Sequence, residues 1–290
     1  MDKYKTLEDI SNSDVRYYMD SILKKIATEL EKKYNNEDFG YLNRELMYLI
    51  LIMFNKFKIQ FYSVIKLTYD MTHDLENKYE YLDIVSINAL QRTCYENYLI
   101  FHYIFISHED FINNNSKEDY LHEVTFKYLL YKYDGYKQSE MSFEKIPEEK
   151  GQAKSLKKEV LKLIRLNETY KSMDANTKKD ILERWRPSWN EIAKKTKLSI
   201  WNSKSMYNLL SQYSHTSYTS LLSINHYYLN LSTYDRDSMN LTLYQITTLF
   251  VKDICKIFCI DKNIFSSLEE GLMNEFYYLA QINPNEINVN

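Results

Sequence analysis

The stretch VSINALQRTCYENYLIFHY, residues 85–103, decides the fold that we expect for this chain. Residues that recur every three or four positions lie along one stripe of an α-helix. In this stretch those residues are Val85, Ala89, Arg92, Glu96, Leu99 and Tyr103. Because the stripe is apolar at both ends, the spacing predicts a core-facing helix over about residues 80–107.

The composition extends the helical prediction to the whole chain. Its 290 residues include 4 Gly and 3 Pro. Tight β-hairpins and phosphate-binding loops depend on clusters of such residues, whereas long helices joined by polar loops do not. The chain is also long enough to bury a sizeable core. We therefore expect an all-α protein, a bundle of about eight to ten helices.

Apolar periodicity, capping residues and chain breaks divide the sequence into elements. Before the 80–107 helix, helices are predicted at 14–34 and 40–69, followed by a polar break at 72–78. After it, the predicted elements are a helix from Ser116 to Gly135, a loop at 137–152 around Pro147, and helices at 153–172, 189–196, 203–232, 235–259 and from Ser266 onward. The organisation we expect is an N-terminal helical extension (1–40), a helical bundle domain with the polar site (41–260), and a C-terminal helix with a frayed tail (261–290).

Charge, cysteine spacing and apolar runs exclude several classes of protein. With 37 basic and 40 acidic residues the formal net charge is -3, which is not typical of a general nucleic-acid-binding protein, although a local basic groove is compatible with it. Three cysteines form neither a disulfide framework nor a metal-binding spacing. The longest apolar runs, 47–54 and 98–106, are shorter than the ~20 residues of a transmembrane helix, and the N-terminus lacks a signal-peptide core. We expect a cytoplasmic protein without a membrane partner.

A pair of charges interrupts the apolar stripe of the 80–107 helix. Arg92 and Glu96 occupy its middle, and charges that face a core are costly unless other groups complete them. The predicted 203–232 helix offers such groups, because Tyr207, Ser211 and His215 are spaced by four residues and share one face. We expect the two helices to face each other, with Arg92 and Glu96 within reach of Ser211 and His215. A polar network that only sets the helix register would give the same pattern, with Arg92 and Glu96 as an ion pair.

The same residues carry a resemblance to a bacterial all-helical domain family of unknown function. That family has an R-x-x-x-E helix and, further along the chain, a short helix led by tryptophan and a Y-x-x-x-S-x-x-x-H helix. The segments LQRTCYENYLIFHYIF (90–105) and WNEIAKKTKLSIWNSKSMYNLLSQYSHTSY (189–218) match it at Arg92, Glu96, Trp189, Tyr207, Ser211 and His215. The resemblance spans roughly residues 45–255.

This family is in turn distantly similar to HEPN-like helical domains, many of which are RNases in toxin–antitoxin and phage-defence systems. The resemblance implies a HEPN-like core with helical extensions at both ends. The HEPN ribonuclease motif, R-x4-6-H on one helix, is absent from this sequence, where Arg92 and His102 are ten residues apart.

RNA cleavage without a metal needs a base for the 2′-hydroxyl, an acid for the leaving oxygen and positive charge at the phosphate. His215 would be the base or the acid, Tyr207 the second proton-transfer group, and Arg92 the phosphate clamp. Glu96 would orient Arg92 or His215, and Ser211 adds a hydroxyl to the same face. We expect no cofactor and no metal, since the cluster offers two metal ligands and the chain has no glycine-rich nucleotide loop.

Two hypotheses arise from these residues. In the first, the protein is a HEPN-like helical effector, a toxin or defence protein, that acts on RNA in bacterial defence or stress response. In the second, it is a non-catalytic helical module that binds a small ligand or a protein partner, and the polar cluster is structural. Whether it is an enzyme stays open between them. RNA or a small-molecule ligand is the expected partner, and a homodimer is compatible with the sequence.

Overall fold

The computed structural model describes residues 12–69, 72–73, 80–106, 117–199, 204, 206–208, 210–212 and 233–282. Its elements are α1 (Asn12–Asn35), α2 (Arg44–Tyr69), β1 (Thr72–His73), β2 (Glu80–Tyr81), α3 (Ile84–Phe101), a π-helical turn (His102–Ile106), α4 (Lys117–Ser142), α5 (Pro147–Leu166), α6 (Glu168–Ser172), α7 (Ala175–Glu183), α8 (Trp189–Ala193), α9 (Thr233–Ile257), a 3₁₀ turn (Lys262–Ile264) and α10 (Ser267–Gln281). Residues 204, 206–208 and 210–212, here called the Tyr207 segment, are also helical. The strands pair antiparallel over two residues each. The predicted all-α class is confirmed.

The chain divides into two compact units. Unit 1 comprises Met1–Gly40, Met47–Tyr103 and Trp189–Asn290, and unit 2 comprises Tyr41–Leu46 and Ile104–Ser188. Both ends of the chain, predicted to be extensions, are grouped with unit 1. The sequence-based division into three segments stays a prediction.

The core of unit 1 is built around Phe250 of α9. Its ring centroid lies 4.6 Å from that of Phe101 in α3, and 4.9 Å and 6.0 Å from those of Phe57 and Phe54 in α2. All four side chains are buried. Burying a phenylalanine side chain contributes ~2 kcal/mol, so one aromatic cluster holds three helices together.

Polar contacts join the first and last helices of unit 1. Lys25 of α1 donates a hydrogen bond to the carboxylate of Glu269 in α10 at 2.6 Å. Glu269 also accepts from the backbone N–H of Ser266, whose hydroxyl accepts from the backbone N–H of Glu269 in return. This reciprocal capping box confirms the helix start predicted at Ser266.

Unit 2 is organised around α4 and α5, which pack against each other. Glu140 of α4 and Lys157 of α5 form an ion pair. Further along α4, Tyr131 packs against the buried ring of Trp185, with 5.0 Å between ring centroids. These contacts are made by residues far apart in sequence, as expected for an independent core.

Two predictions around Pro147 are wrong. The fourth helix does not end at Gly135 but continues to Ser142, and the loop predicted at 137–152 shrinks to a short turn. Gly135 is tolerated because it lies in open space on an exposed turn of α4. Pro147 begins α5 instead of interrupting the chain, because the first helical position needs no backbone N–H.

Other helix boundaries also differ from the predicted ones. The predicted 153–172 helix is divided at Asn167, whose side chain caps α6 by accepting from the backbone N–H of Thr169. Helix α7, capped by Asp174, was not predicted. Helix α9 begins at Thr233, before the predicted aspartate cap, and ends at Ile257. Cys259 lies past that end with a positive φ of 48°.

Several predicted features lie outside the described residues. They are the cap at Ser116, much of the polar break at 72–78, most of the 203–232 helix, and the tail after 283.

Helix α2 is the one helix of the described residues that is long and apolar enough to cross a membrane by length and composition. Its helical span extends well beyond the apolar run 47–54. Core helices pass the same test, and α2 contributes Phe54 and Phe57 to the core of unit 1. Lys56, on the same helix, is exposed.

Candidate functional site

Helix α3 carries the first half of the predicted site. Its start is set by Asp83, whose carboxylate accepts a hydrogen bond from the backbone N–H of Ser86 at 3.0 Å. From there the helix runs without a break to Phe101. Arg92 and Glu96 therefore lie one turn apart on the same face.

Polar side chains of α3 hold it in register with α2. The Asn97 amide donates to the backbone carbonyl of Met53 at 2.8 Å in a buried position. The Gln60 amide donates to the hydroxyl of Thr93, also at 2.8 Å. The first bond is buried and costs about 1–3 kcal/mol to break, and the second is partly buried; together they restrict how α3 can slide or turn against α2. The face that carries Arg92 is thereby fixed.

Arg92 and Glu96 form a half-buried ion pair. The Nε of Arg92 donates to Oε1 of Glu96 at 2.9 Å, and the two side chains retain 24% and 25% of their exposure. Burial by itself disfavours the charged guanidinium, but the hydrogen bond and negative charge of Glu96 outweigh it, so the pKa of Arg92 lies above its ordinary value. The pair is neither sealed in the core nor free on the surface.

Tyr207 completes the group, which we call the Arg92 cluster (Arg92, Glu96 and Tyr207). The Nη2 of Arg92 donates to the Tyr207 hydroxyl at 3.4 Å. The guanidinium carbon lies 5.4 Å from the centroid of the Tyr207 ring, within the range of a cation–π contact. Residues 115 positions apart in the sequence are thus brought together. Helix α3 and the Tyr207 segment therefore lie next to each other, as their polar stripes predict.

The remaining predicted site residues come after Tyr207 along the chain. Ser211 lies one turn later in the Tyr207 segment and has a buried hydroxyl oxygen. Met206 and Leu210 are buried on the same segment, so it packs through an apolar face. His215 lies outside the described residues. The catalytic roles assigned to all five residues stay predictions.

A second polar group of unit 1, around His102, was not foreseen. His102 begins the π-helical turn and is buried, as a packed histidine would be. Its Nδ1 lies 3.0 Å from Oδ2 of Asp253, and its Nε2 lies 3.1 Å from the carbonyl oxygen of Lys195. Both partners are acceptors, and the ring donates to the one that faces its N–H; through these two contacts it lies between the end of α3, α9 and the turn after α8. Asp253 is 151 residues away, and no local spacing could have indicated the contact.

The Arg92 cluster can bind and orient an anion, since a guanidinium matches the geometry of phosphate and carboxylate oxygens. Proton transfer would need an acid and a base beside Arg92. The Tyr207 hydroxyl, which contacts Arg92, is one group that can transfer a proton. In the part of the chain that the structure describes, no group of three or more His, Cys, Asp or Glu side chains is arranged to hold a metal ion.

These features define a class: an all-α protein in which an arginine, a carboxylate and a tyrosine meet between two helices. The chain belongs to a family of unknown function, DUF5677, whose family model matches residues 59–230, more than half of the chain. The predicted membership of an all-helical family of unknown function is thereby confirmed. The matched segment includes Arg92, Glu96, Tyr207, Ser211 and His215. No curated protein and no solved structure matches the chain.

Proposed function

We propose that this protein is a HEPN-like helical effector that acts on RNA in bacterial defence or stress response, with the Arg92 cluster as its phosphate-binding point. The observation that carries the proposal is that Arg92 is held in position and is still partly exposed to solvent. Its guanidinium is oriented by Glu96 at 2.9 Å and by Tyr207 at 3.4 Å, yet it keeps a quarter of its exposure. An arginine held in place before the ligand arrives loses less freedom on binding.

RNA offers the two chemical features that this cluster can recognise. A phosphodiester oxygen can accept from the guanidinium in a charge-assisted hydrogen bond. Unstacked bases of single-stranded RNA stack on aromatic rings and on guanidinium planes, and Tyr207 provides such a ring. Lys204, exposed three residues before Tyr207, adds positive charge to the same segment. Single-stranded RNA is therefore the substrate class that we favour.

The reaction would be an internal transfer at phosphorus. A base removes the proton of the 2′-hydroxyl, the new 2′-O–P bond forms, and the P–O5′ bond breaks. An acid then gives a proton to the leaving O5′, which leaves a 2′,3′-cyclic phosphate and a 5′-hydroxyl. Arg92 would stabilise the added charge on the phosphate oxygens. His215 and Tyr207 are the acid–base groups proposed from the sequence.

A second candidate function has its own support. The charge of Arg92 is already balanced by Glu96 on the same helix, and neighbouring polar residues, Thr93 and Asn97, serve to hold α3 against α2. The cluster could continue this pattern as a structural network of a non-catalytic binding module. In that case its removal would change stability and leave RNA untouched.

The experiment that separates the two candidates is RNA integrity after induction in cells. We expect wild-type protein to degrade RNA and arrest growth, and His215→Ala and Arg92→Gln to lower cleavage at least about 100-fold, as loss of one transition-state contact does elsewhere. The matched control is Arg165→Gln, an exposed arginine on α5, which should cleave like wild type.

Measurements on purified protein decide whether the Arg92 cluster acts on RNA or only stabilises the fold. Circular dichroism and thermal unfolding of each variant would show whether it folds. Intact RNA in the presence of folded wild-type protein contradicts the first function. Variants that unfold, while wild type leaves RNA intact, support the structural network.

A further inference from the structure

A cavity lies between α9 and α10 of unit 1, outside the residues 59–230 that match the family. Its volume is about 310 Å³. That is near the lower end of the ~300–1,000 Å³ typical of small-molecule sites, so it could enclose a compact ligand with one ring. No residue of the Arg92 cluster lines it. A ligand in this cavity would therefore be independent of the proposed action on RNA.

Lysines give the lining of the cavity an excess of positive charge. Lys252 and Lys256 come from α9 and Lys262 from the 3₁₀ turn, against a single carboxylate among the lining residues, that of Glu270. Within the described residues, no carboxylate lies at ion-pair distance from Lys252 or Lys262. Positive charges that are drawn together in this way repel each other, and a bound anion would relieve that repulsion.

The environment of these lysines opposes their charge. Burial, followed by the repulsion of Lys262, lowers the pKa of Lys252 below its ordinary value. Burial also lowers the pKa of Lys256. Both shifts mean that the surroundings disfavour the charged form of these two lysines, and a bound anion would favour it.

Lys252 is held in place from the opposite helix. Its Nζ donates to Oδ1 of Asn274 in α10 at 3.0 Å, and it lies 4.4 Å from the centroid of the Tyr277 ring. An ammonium group held by an amide and an aromatic face has less freedom to lose when a ligand arrives. Lys252 is therefore preorganised to bind an anion.

Much of the remaining lining of the cavity is apolar. Val251, Ile260, Phe265 and Met273 line it and are all buried. Tyr277 adds the face of an aromatic ring next to Lys252. A simple inorganic ion would not contact the apolar lining residues, and an uncharged apolar molecule would not neutralise the lysines. The lysines and the apolar residues together favour a ligand that has both an anionic group and an apolar body.

We propose that this cavity binds a small organic anion, in which one carboxylate or phosphate group is joined to a compact apolar or aromatic body. The anionic group lies between Lys252 and Lys262, and the body packs against Phe265 and Met273. Carboxylates and phosphate monoesters share this chemistry, so both are included in the test.

The test is isothermal titration calorimetry of the full chain with four probes: phenyl phosphate, benzoate, inorganic phosphate and benzyl alcohol. We expect at least one aromatic anion to bind with one-to-one stoichiometry, and phosphate and benzyl alcohol to bind at least about tenfold more weakly. The relative affinities of phenyl phosphate and benzoate identify the anionic group. Absence of binding by both aromatic anions overturns the proposal, as does equal binding by benzyl alcohol or by phosphate.

Variants locate the binding in the cavity. Lys262→Gln and Lys252→Met should each weaken the aromatic anion about tenfold, which is ~1.4 kcal/mol. Lys179→Gln, at an exposed lysine of α7, is the matched control and should bind like wild type. Lys262 is exposed, so its variant should fold even if Lys252→Met does not. Unchanged affinity in folded Lys262→Gln overturns the site, whatever the RNA experiment shows.

Discussion

The Arg92 cluster and the cavity between α9 and α10 both hold charged side chains in unit 1, but they treat charge in opposite ways. Arg92 is matched by Glu96 on the same helix at 2.9 Å, and its pKa is raised. Lys252 faces a second lysine, Lys262, and its pKa is lowered. Arg92 therefore has a carboxylate partner before any ligand arrives, whereas three lysines and one carboxylate line the cavity.

This difference shows that a conspicuous polar motif is not by itself the strongest indication of a ligand. A charged pair on one helix stripe can be recognised in the sequence, because its two members are four residues apart. Three lysines from α9 and the following 3₁₀ turn line one cavity together with a single carboxylate, that of Glu270. Three measurements, ordered from the largest expected effect to the smallest, would test whether the two regions differ in this way.

The largest effect should come from the aromatic core that supports both regions. Phe250→Ala removes the ring that joins α2, α3 and α9, and should lower the free energy of unfolding by about 3–5 kcal/mol. Urea denaturation would measure it, and titration with phenyl phosphate would show whether the cavity is lost as well. Leu163→Ala, at an exposed leucine of α5, is the control and should change stability by less than ~0.5 kcal/mol. A loss below ~1 kcal/mol for Phe250→Ala would show that the core is not shared.

A smaller effect should distinguish the two regions by its sign. Arg92→Gln leaves Glu96 without its ion pair and removes the contact with Tyr207, so stability should fall by up to ~1 kcal/mol. Lys262→Gln relieves the repulsion on Lys252, so stability should stay the same or rise by a few tenths of a kcal/mol. Thermal unfolding of both variants without ligand checks the prediction. If Arg92→Gln and Lys262→Gln lowered stability equally, the two regions would not differ in how their charges are paired.

The smallest effect is a dependence on pH that belongs to the cavity. Because the pKa of Lys252 is lowered in the folded protein, the folded state releases this proton before the unfolded chain does. Between the lowered pKa and the ordinary one, the unfolded chain binds more protons, so stability rises with pH. Wild type should therefore gain stability relative to Lys252→Met as the pH rises toward about 10.4, the ordinary pKa of a lysine.

The neighbouring cysteine does not reverse that sign. Burial raises the pKa of the Cys255 thiol to about 12, above this range. Urea denaturation at each pH measures the difference between the two proteins, and a falling difference would mean that Lys252 is not disfavoured by its surroundings.

Local patterns predicted the parts of the fold that depend on neighbouring residues. The helix start at Ser266 was indicated by Ser and Glu three residues apart, and the capping box is present. The ion pair of Arg92 and Glu96 was indicated by a spacing of four. Pro147 was misread because the same residue ends one helix or begins another, and the turn before it decides which.

Contacts between distant residues were predicted less well. The approach of Tyr207 to Arg92 was expected because both stripes were unusually polar. The partners of His102 were not, since Asp253 belongs to an otherwise ordinary helix. No prediction was made for the lysines of the cavity, because their shared position depends on how α9, the 3₁₀ turn and α10 pack around one space.

By itself, the sequence determined that this protein is all-α, where many of its helices begin, and that Arg92 and Glu96 lie on one face. Helix geometry repeats every 3.6 residues whatever surrounds it, so such relations are encoded locally. The tertiary structure alone decided that Phe250 joins three helices, that Arg92 stays partly open to solvent, and that Lys252 and Lys262 share a cavity. Those relations depend on how side chains interlock between helices, which no spacing along one helix specifies.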